Sequence, residues 1–290
     1  MKKQVLVPSV NFHLWEPCNM RCRFCFATFQ DVAKSILPKG HLPKEEAIQV
    51  VKELALYGFE KITFAGGEPT LCPWLDELIL TTKESGMTTM IVTNGTRLSQ
   101  EFLERNKGKL DWIALSIDSI NSFTNQELGR AIAGKREISF ESYLHLIDQI
   151  KLHGYGLKIN TVVNTLNLSE DFTQLIQYAQ PKRWKILQVL PVEGQNDKKV
   201  EELLISNDDF QEFVHRHEHL ESITRLIPES NDLIRGSYAM VDPAGRFFDS
   251  SKGGHQYSGP ILKVGANVAI NQVDINIKKF EKRGGVYKWK

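Results

Sequence analysis

Cys18-Asn19-Met20-Arg21-Cys22-Arg23-Phe24-Cys25-Phe26 gathers three of the four cysteines of a 290-residue chain into eight consecutive positions, spaced C-x3-C-x2-C. The stretch follows an apolar run at 10–15, so the thiols belong to a loop at a strand end. One loop with this spacing can wrap a soft metal centre, and thiolates suit zinc, Cu(I) or iron–sulfur. A structural zinc wants four closed ligands; the fourth would have to be His13 or Cys72. Cys72 reads more simply as a small half-buried thiol. A 4Fe–4S cluster held by Cys18, Cys22 and Cys25 instead leaves one iron open for chemistry.

Outward from this loop, apolar runs at 61–65, 88–93, 112–116, 156–163 and 184–190 join 10–15 as strand candidates. Amphipathic stretches at 44–57, 75–85, 99–106, 140–153 and 170–179 separate them, with Pro43 at the start of the first. Six strands alternating with helices predict an α/β fold on a parallel sheet. After residue 190 the rhythm breaks down. The segments 198–201 and 208–217 look helical, and Pro, Gly and Ser thicken from 228 to 265. The division expected is therefore a barrel-forming part at 8–190 and an extension at 191–290 that closes over one face of the sheet and over the pocket.

A chain of 290 residues is long enough to bury a large core. Its net charge of +1 offers no polybasic field, so no nucleic-acid partner is expected and any anion site must be local. Clustered cysteines do not make a disulfide framework, which favours a reducing compartment. The apolar run at 5–7 is too short for a secretory signal. No run approaches the roughly 18 apolar residues of a membrane span. The expectation is a cytoplasmic protein with no membrane partner.

In βα barrels the chemistry gathers at the C-terminal ends of the strands. Here those ends carry the cysteine loop, Ala65-Gly66-Gly67-Glu68-Pro69, Thr93-Asn94-Gly95 and Ser116-Ile117-Asp118-Ser119. Gly66-Gly67-Glu68-Pro69 is a turn by composition. Two glycines also let backbone approach a ligand closely, and Glu68 can accept from an ammonium. Lys61, Lys158 and Lys185, with Arg183, stand inside or beside apolar strands. Buried charge is costly unless paired, so cations converging on one rim would need an anion between them. A triphosphate would satisfy them.

Together these segments resemble the viperin family in its prokaryotic form, within the radical S-adenosylmethionine (SAM) superfamily. The likeness runs from Ser9-Val10-Asn11-Phe12-His13 through the cysteine loop and Gly-Gly-Glu-Pro to Ser116-Ile117-Asp118-Ser119 and Gly129-Arg130. It continues in Lys158-Ile159-Asn160, Pro181-Lys182-Arg183-Trp184-Lys185, Ile227-Pro228-Glu229-Ser230-Asn231, Ser237-Tyr238 and Lys282-Arg283-Gly284-Gly285. The resemblance implies a partial (β/α)6 barrel, a 4Fe–4S cluster on Cys18, Cys22 and Cys25, and SAM as cofactor. It implies SAM contacts at Gly66, Gly67, Glu68, Asn94, Ser116 and Arg130. It gives Lys61, Lys158, Arg183 and Lys185 to a triphosphate and Asn11 to the base or sugar, with Glu229 and Tyr238 completing the pocket. Tyr238 and Lys185 become the candidates for the final proton donor.

The implied reaction removes the 4′ hydrogen of a nucleoside triphosphate with a 5′-deoxyadenosyl radical. It then expels the 3′ hydroxyl as water and yields a 3′-deoxy-3′,4′-didehydro nucleotide, a chain terminator suited to antiviral defence. CTP is the expected substrate, with UTP close behind and GTP as the alternative; an electron donor is the implied partner. Departures are Ala65 where the family often has serine, and His255 where a lysine is expected, with Lys252 as a possible substitute. The amphipathic N-terminal helix and C-terminal tail of the animal proteins are missing, so membrane anchoring and that tail's docking are expected to be absent. A radical SAM peptide maturase is the rival enzyme, but such proteins often carry auxiliary clusters and this chain has no cysteine after Cys72. A zinc-stabilised or nucleotide-binding protein without catalysis is the rival from another class.

Overall fold

The structure, a computed structural model, describes residues 7–289. The N-terminal apolar run discussed above therefore lies largely outside the described residues. Ten strands form one sheet: β1 (Ser9–His13), β2 (Lys61–Ala65), β3 (Thr88–Thr93), β4 (Trp112–Ser116), β5 (Gly156–Val163), β6 (Arg183–Gln188), β7 (Arg225–Glu229), β8 (Ala239–Val241), β9 (Arg246–Asp249) and β10 (Gln256–Pro260). Their order is β10-β9-β8-β1-β2-β3-β4-β5-β6-β7. All pairings from β8 through β7 are parallel, and the two outer ones, β8–β9 and β9–β10, are antiparallel. Parallel neighbours need crossovers. These are α1 (Lys44–Tyr57), α2 (Leu75–Glu84), α3 (Gln100–Asn106), α4 (Phe140–Leu152), α5 (Thr173–Ala179) and α6 (Asn207–Arg216).

Helix α1 shows how sequence makes these elements. Pro43 precedes it, where its fixed φ and missing N–H cost nothing, and Gly58 ends it at φ 116°. Ala47, Val50, Val51 and Leu54 recur at helical spacing and are buried. Against the helices the sheet presents Val10, Phe12, Ile62, Phe64, Ile91, Ile113, Ile159 and Ile186, all fully buried. Trp184 joins them, packed on Phe172 and His217 with ring centroids 5.8 and 5.2 Å away, and its indole N–H donates to Thr161 at 3.0 Å.

Most boundaries agree with the sequence reading, and the differences have local causes. Strand β1 stops at His13 because Trp15 turns to the helical layer, against Trp74, and donates to the Glu68 carbonyl at 3.0 Å. Helix α5 begins only at Thr173 because Glu170 is held by the Ser119 hydroxyl and the Ile120 N–H. No helix forms at 198–201. Lys198 takes φ 69°, and a short 3₁₀ turn follows at Glu201–Leu203. The helices Gln30–Ser35 and Ser122–Glu127 escaped the sequence reading, being too short to show a period. Residues after 190 lengthen the sheet at both edges, β7 beside β6 and β8 to β10 beside β1.

Candidate active site

Side chains alternate across a strand, and the faces opposite the helices are polar. Ser9, Asn11 and His13 of β1, Lys61 and Thr63 of β2, Lys158 and Asn160 of β5, Arg183 and Lys185 of β6 and Glu229 of β7 all line one cavity of about 310 Å³. The same cavity reaches Cys18, Cys22 and Cys25, Gly66 to Glu68, Asn94, Ser116, Asp118 and Arg130. Every site residue named from the sequence therefore lies on its wall.

The cysteine loop is stitched to its neighbours through backbone. Arg21 N–H donates to the Gly129 carbonyl at 3.1 Å, Arg23 N–H to Leu128 at 2.9 Å, and Glu68 N–H to Pro17 at 2.9 Å. Gly67, at φ 49°, passes so close that an added Cβ would stand 2.1 Å from the Pro17 carbonyl oxygen. Burial pushes the Cys18 thiol up to about 11 and Cys22 up to about 12, and raises Cys25. Three neutral, half-buried thiols on one loop want a cation, since metal coordination deprotonates a thiol outright. Among the described residues no three His, Cys, Asp or Glu side chains converge tightly enough for one metal ion. His13 is ringed by Phe26, Phe29 and Phe248, and burial lowers it to about 3. Cys72 is buried in the apolar core.

Glu68 is almost wholly buried, and its carboxylate is committed. It accepts from the Thr70 N–H at 3.0 Å, the Thr93 hydroxyl at 2.6 Å and the Asn94 N–H at 2.8 Å. These bonds tie the glycine loop to the end of β3. Burial raises the Glu68 pKa, and the bonds oppose that rise. The Asn94 side chain donates to Asn19 of the cysteine loop at 2.9 Å. Arg130 forms a buried ion pair with Asp118 at 2.9 Å, and its Nη1 lies 3.8 Å from Cys22 Sγ. Its Nε has no partner. The same loop is thus held by a positive group beside the sulfurs.

The cations occupy the other end of the cavity. Lys61 and Arg183 are the first residues of their strands, and Lys158 and Lys185 the third. They do not share the C-terminal rim with the cysteine loop, as expected from sequence; they stand opposite it, because the inward face of each strand carries its chemistry along its whole length. Lys185 is 2.9 Å from Glu229, and the Tyr238 hydroxyl bridges the same pair. Burial, then neighbouring cations, lower Lys61 to about 7. Lys158 is driven well down for the same reasons, and burial takes Lys185 to about 8.

Sequence reasoning missed Arg283 and Tyr287, both on the cavity wall. Arg283 lies 3.5 Å from Glu229 and over the Tyr238 ring at 3.5 Å. Tyr287 accepts from Lys61 at 2.7 Å and carries Arg183 stacked 3.8 Å above its ring. The Lys282-Arg283-Gly284-Gly285 segment was visible, but nothing local to it says that it returns to strands more than a hundred residues away. His255 supplies no cation: burial among Phe29 and Phe248 lowers it to about 4. Lys252 does not replace it, being exposed and off the cavity wall.

The family model of the radical SAM superfamily matches residues 15–179. An S-adenosylmethionine-dependent nucleotide dehydratase of Flammeovirga pacifica is 55% identical over 98% of this chain and 97% of its own length. The chain belongs to the viperin family of radical SAM enzymes. A second viperin-family relative, from Lacinutrix mariniflava, is 57% identical over 98% of this chain, which spans 59% of that protein. The S-adenosylmethionine-dependent nucleotide dehydratase RSAD2 of Danio rerio is 37% identical over 97% of this chain and 78% of its own. Among solved structures, native anSMEcpe with bound AdoMet superposes with TM-score 0.68 at 16% identity over 91% of this chain and 80% of that one. SuiB of Streptococcus suis bound to S-adenosylmethionine gives 0.66 at 16%, over 83% and 59%. At that identity the likeness establishes the radical SAM fold. The superfamily's cofactors, a 4Fe–4S cluster and SAM, match the donor set of the cavity's thiol end. No helix among the described residues is long and apolar enough to cross a membrane.

Proposed function

We propose that this chain dehydrates a ribonucleoside triphosphate, CTP first and UTP close behind, to its 3′-deoxy-3′,4′-didehydro derivative, a chain terminator of antiviral use. One observation carries the reading: Lys61, Lys158, Arg183, Lys185 and Arg283 line the same cavity as the three thiols, and the carboxylate paired with Lys185 and Arg283 is that of Glu229. Such a surplus of buried positive charge is tolerated only where an anion completes it. A triphosphate supplies several negative charges at once. Its sugar would then point up the cavity towards the thiols.

In this reading Cys18, Cys22 and Cys25 hold the cluster, and Gly66, Gly67, Glu68, Asn94, Ser116 and Arg130 shape the SAM site. Because the Glu68 carboxylate is already committed, its part is to hold the glycine loop, whose backbone meets the cofactor. Cluster and SAM, when bound, supply the one-electron chemistry that begins the reaction at the sugar. Asn11 faces the base or sugar. Lys185, Tyr238 and Glu229 form a proton chain beside the leaving hydroxyl: Tyr238 donates to Glu229 and accepts from Lys185, so a proton given up by the tyrosine is replaced from the lysine. An external one-electron donor acts as partner, and neither membrane nor nucleic acid is required. The test is to incubate anaerobically reconstituted protein with SAM, dithionite and each ribonucleoside triphosphate in turn. Loss of one water from CTP, read by mass, is the expected result; a protein that cleaves SAM yet dehydrates no nucleotide overturns it.

A further inference from the structure

Asn160 is the inward-facing residue of β5 between Lys158 and Val162, and its register neighbours are Ser116 on β4 and Lys185 on β6. Its backbone is fixed, the carbonyl accepting from Ile117 N–H at 3.0 Å. Its side chain is not satisfied. Oδ1 is shut away from water with no hydrogen-bond partner, and among the described residues the amide nitrogen meets no acceptor while the residue faces the cavity. A primary amide left open on both sides is unusual, and unlike Asn94 this one braces no loop. Its position carries the meaning. Two residues of strand, about 6.6 Å, separate it from Lys158 at the cation end, and its other neighbour, Ser116, accepts from Arg130 beside the sulfurs.

We propose that Asn160 reads the sugar of the substrate, its side-chain amide hydrogen-bonding the 2′ hydroxyl, so that the site selects ribonucleotides over 2′-deoxyribonucleotides. This rests on the triphosphate reading above. Phosphates held by Lys158 and its register partner Arg183 place the sugar one inward step along β5, which is the level of Asn160. Of the two ribose hydroxyls, the 3′ group is the one expelled and needs a proton source, which Tyr238 and Lys185 provide. A neutral amide suits the 2′ hydroxyl that stays. A site built to bond a hydroxyl rejects the analogue lacking it, because its own polar group is then left unpaired.

Binding is measured by calorimetry on reconstituted enzyme with SAM and no reductant, so that nothing turns over. The probes are CTP and 2′-deoxy-CTP, or the pair with whichever base the water-loss assay selects. Wild type should bind the deoxy form about tenfold more weakly, the worth of one hydrogen bond. Asn160→Ala should lose about that factor for the ribonucleotide only, bringing the two affinities together, with SAM affinity and melting temperature unchanged. Asn160→Ser, a smaller change that keeps a donor, should fall between. A variant that keeps the wild-type preference overturns the proposal, as does one that loses SAM affinity instead. Wild type that binds neither nucleotide overturns the triphosphate reading itself, a result distinct from equal binding of both, which removes only the role of Asn160.

Discussion

Trp184 and Lys185 are adjacent in the chain and face opposite sides of the sheet, so they test different things. Trp184→Ala removes a fully buried ring from between Phe172, Phe213 and His217. It should destabilise the fold by about 3–5 kcal/mol, visible as a lowered midpoint in denaturant. Lys185→Ala leaves Glu229 with Arg283 as ion partner, so the protein should fold and cleave SAM, but show a raised KM for the nucleotide and, with the proton chain broken, a slower dehydration. Cys22→Ala should do the reverse, abolishing SAM cleavage and lowering bound iron while calorimetric nucleotide binding persists. Equal SAM turnover by that variant would refute the cluster assignment. The sequence shows these residue types, but the side each one faces follows from strand register, and the pocket-ward ones are those at 158, 160, 183 and 185.

At the scale of elements, the glycine loop and the cysteine loop are one unit. Gly67 cannot carry a side chain, because φ 49° is the left-handed region and the Pro17 carbonyl occupies the space. Gly67→Ala should therefore push the two loops apart, costing about 1–3 kcal/mol and weakening SAM binding at least tenfold; equilibrium dialysis with labelled SAM measures this. Unchanged SAM affinity would mean that the loop tolerates the shift and that its glycine serves only the turn. The β–α alternation was legible because apolar runs and capped amphipathic helices are local signals. The extension was not, because its strands are as short as Ala239–Val241 and are defined by the edges they complete.

Across the whole molecule, the surplus of buried cations makes the free protein sensitive to pH. Lys61 is lowered to about 7 and Lys185 to about 8 from an unfolded value near 10.5. Between those limits the unfolded chain binds more protons than the folded one, so stability rises with pH from about 7 to 10. The groups facing Lys61 are Arg183, Arg283, Lys185 and the Tyr287 hydroxyl. Lys61→Met should flatten the rise, by up to about 1.4 kcal/mol per pH unit, in melts at pH 7 and 9. Binding of a triphosphate inverts the effect: the lysines take up protons, so affinity falls as pH climbs above about 7. Calorimetry in buffers of different ionisation enthalpy counts those protons, and no uptake at pH 8 would contradict an anion at this end.

From sequence alone came the thiol loop, the alternation of strands and helices, and the residue types of a SAM and anion site, because spacing and periodicity are properties of neighbours in the chain. Tertiary structure alone decided that the cations stand opposite the thiols, that Arg283 and Tyr287 return from the chain's last residues to meet them, and that Asn160 is left open between the two ends. A curved parallel sheet brings every second residue of distant strands onto one inner surface. Which side chains meet there depends on register and closure, and neither is written in any local stretch.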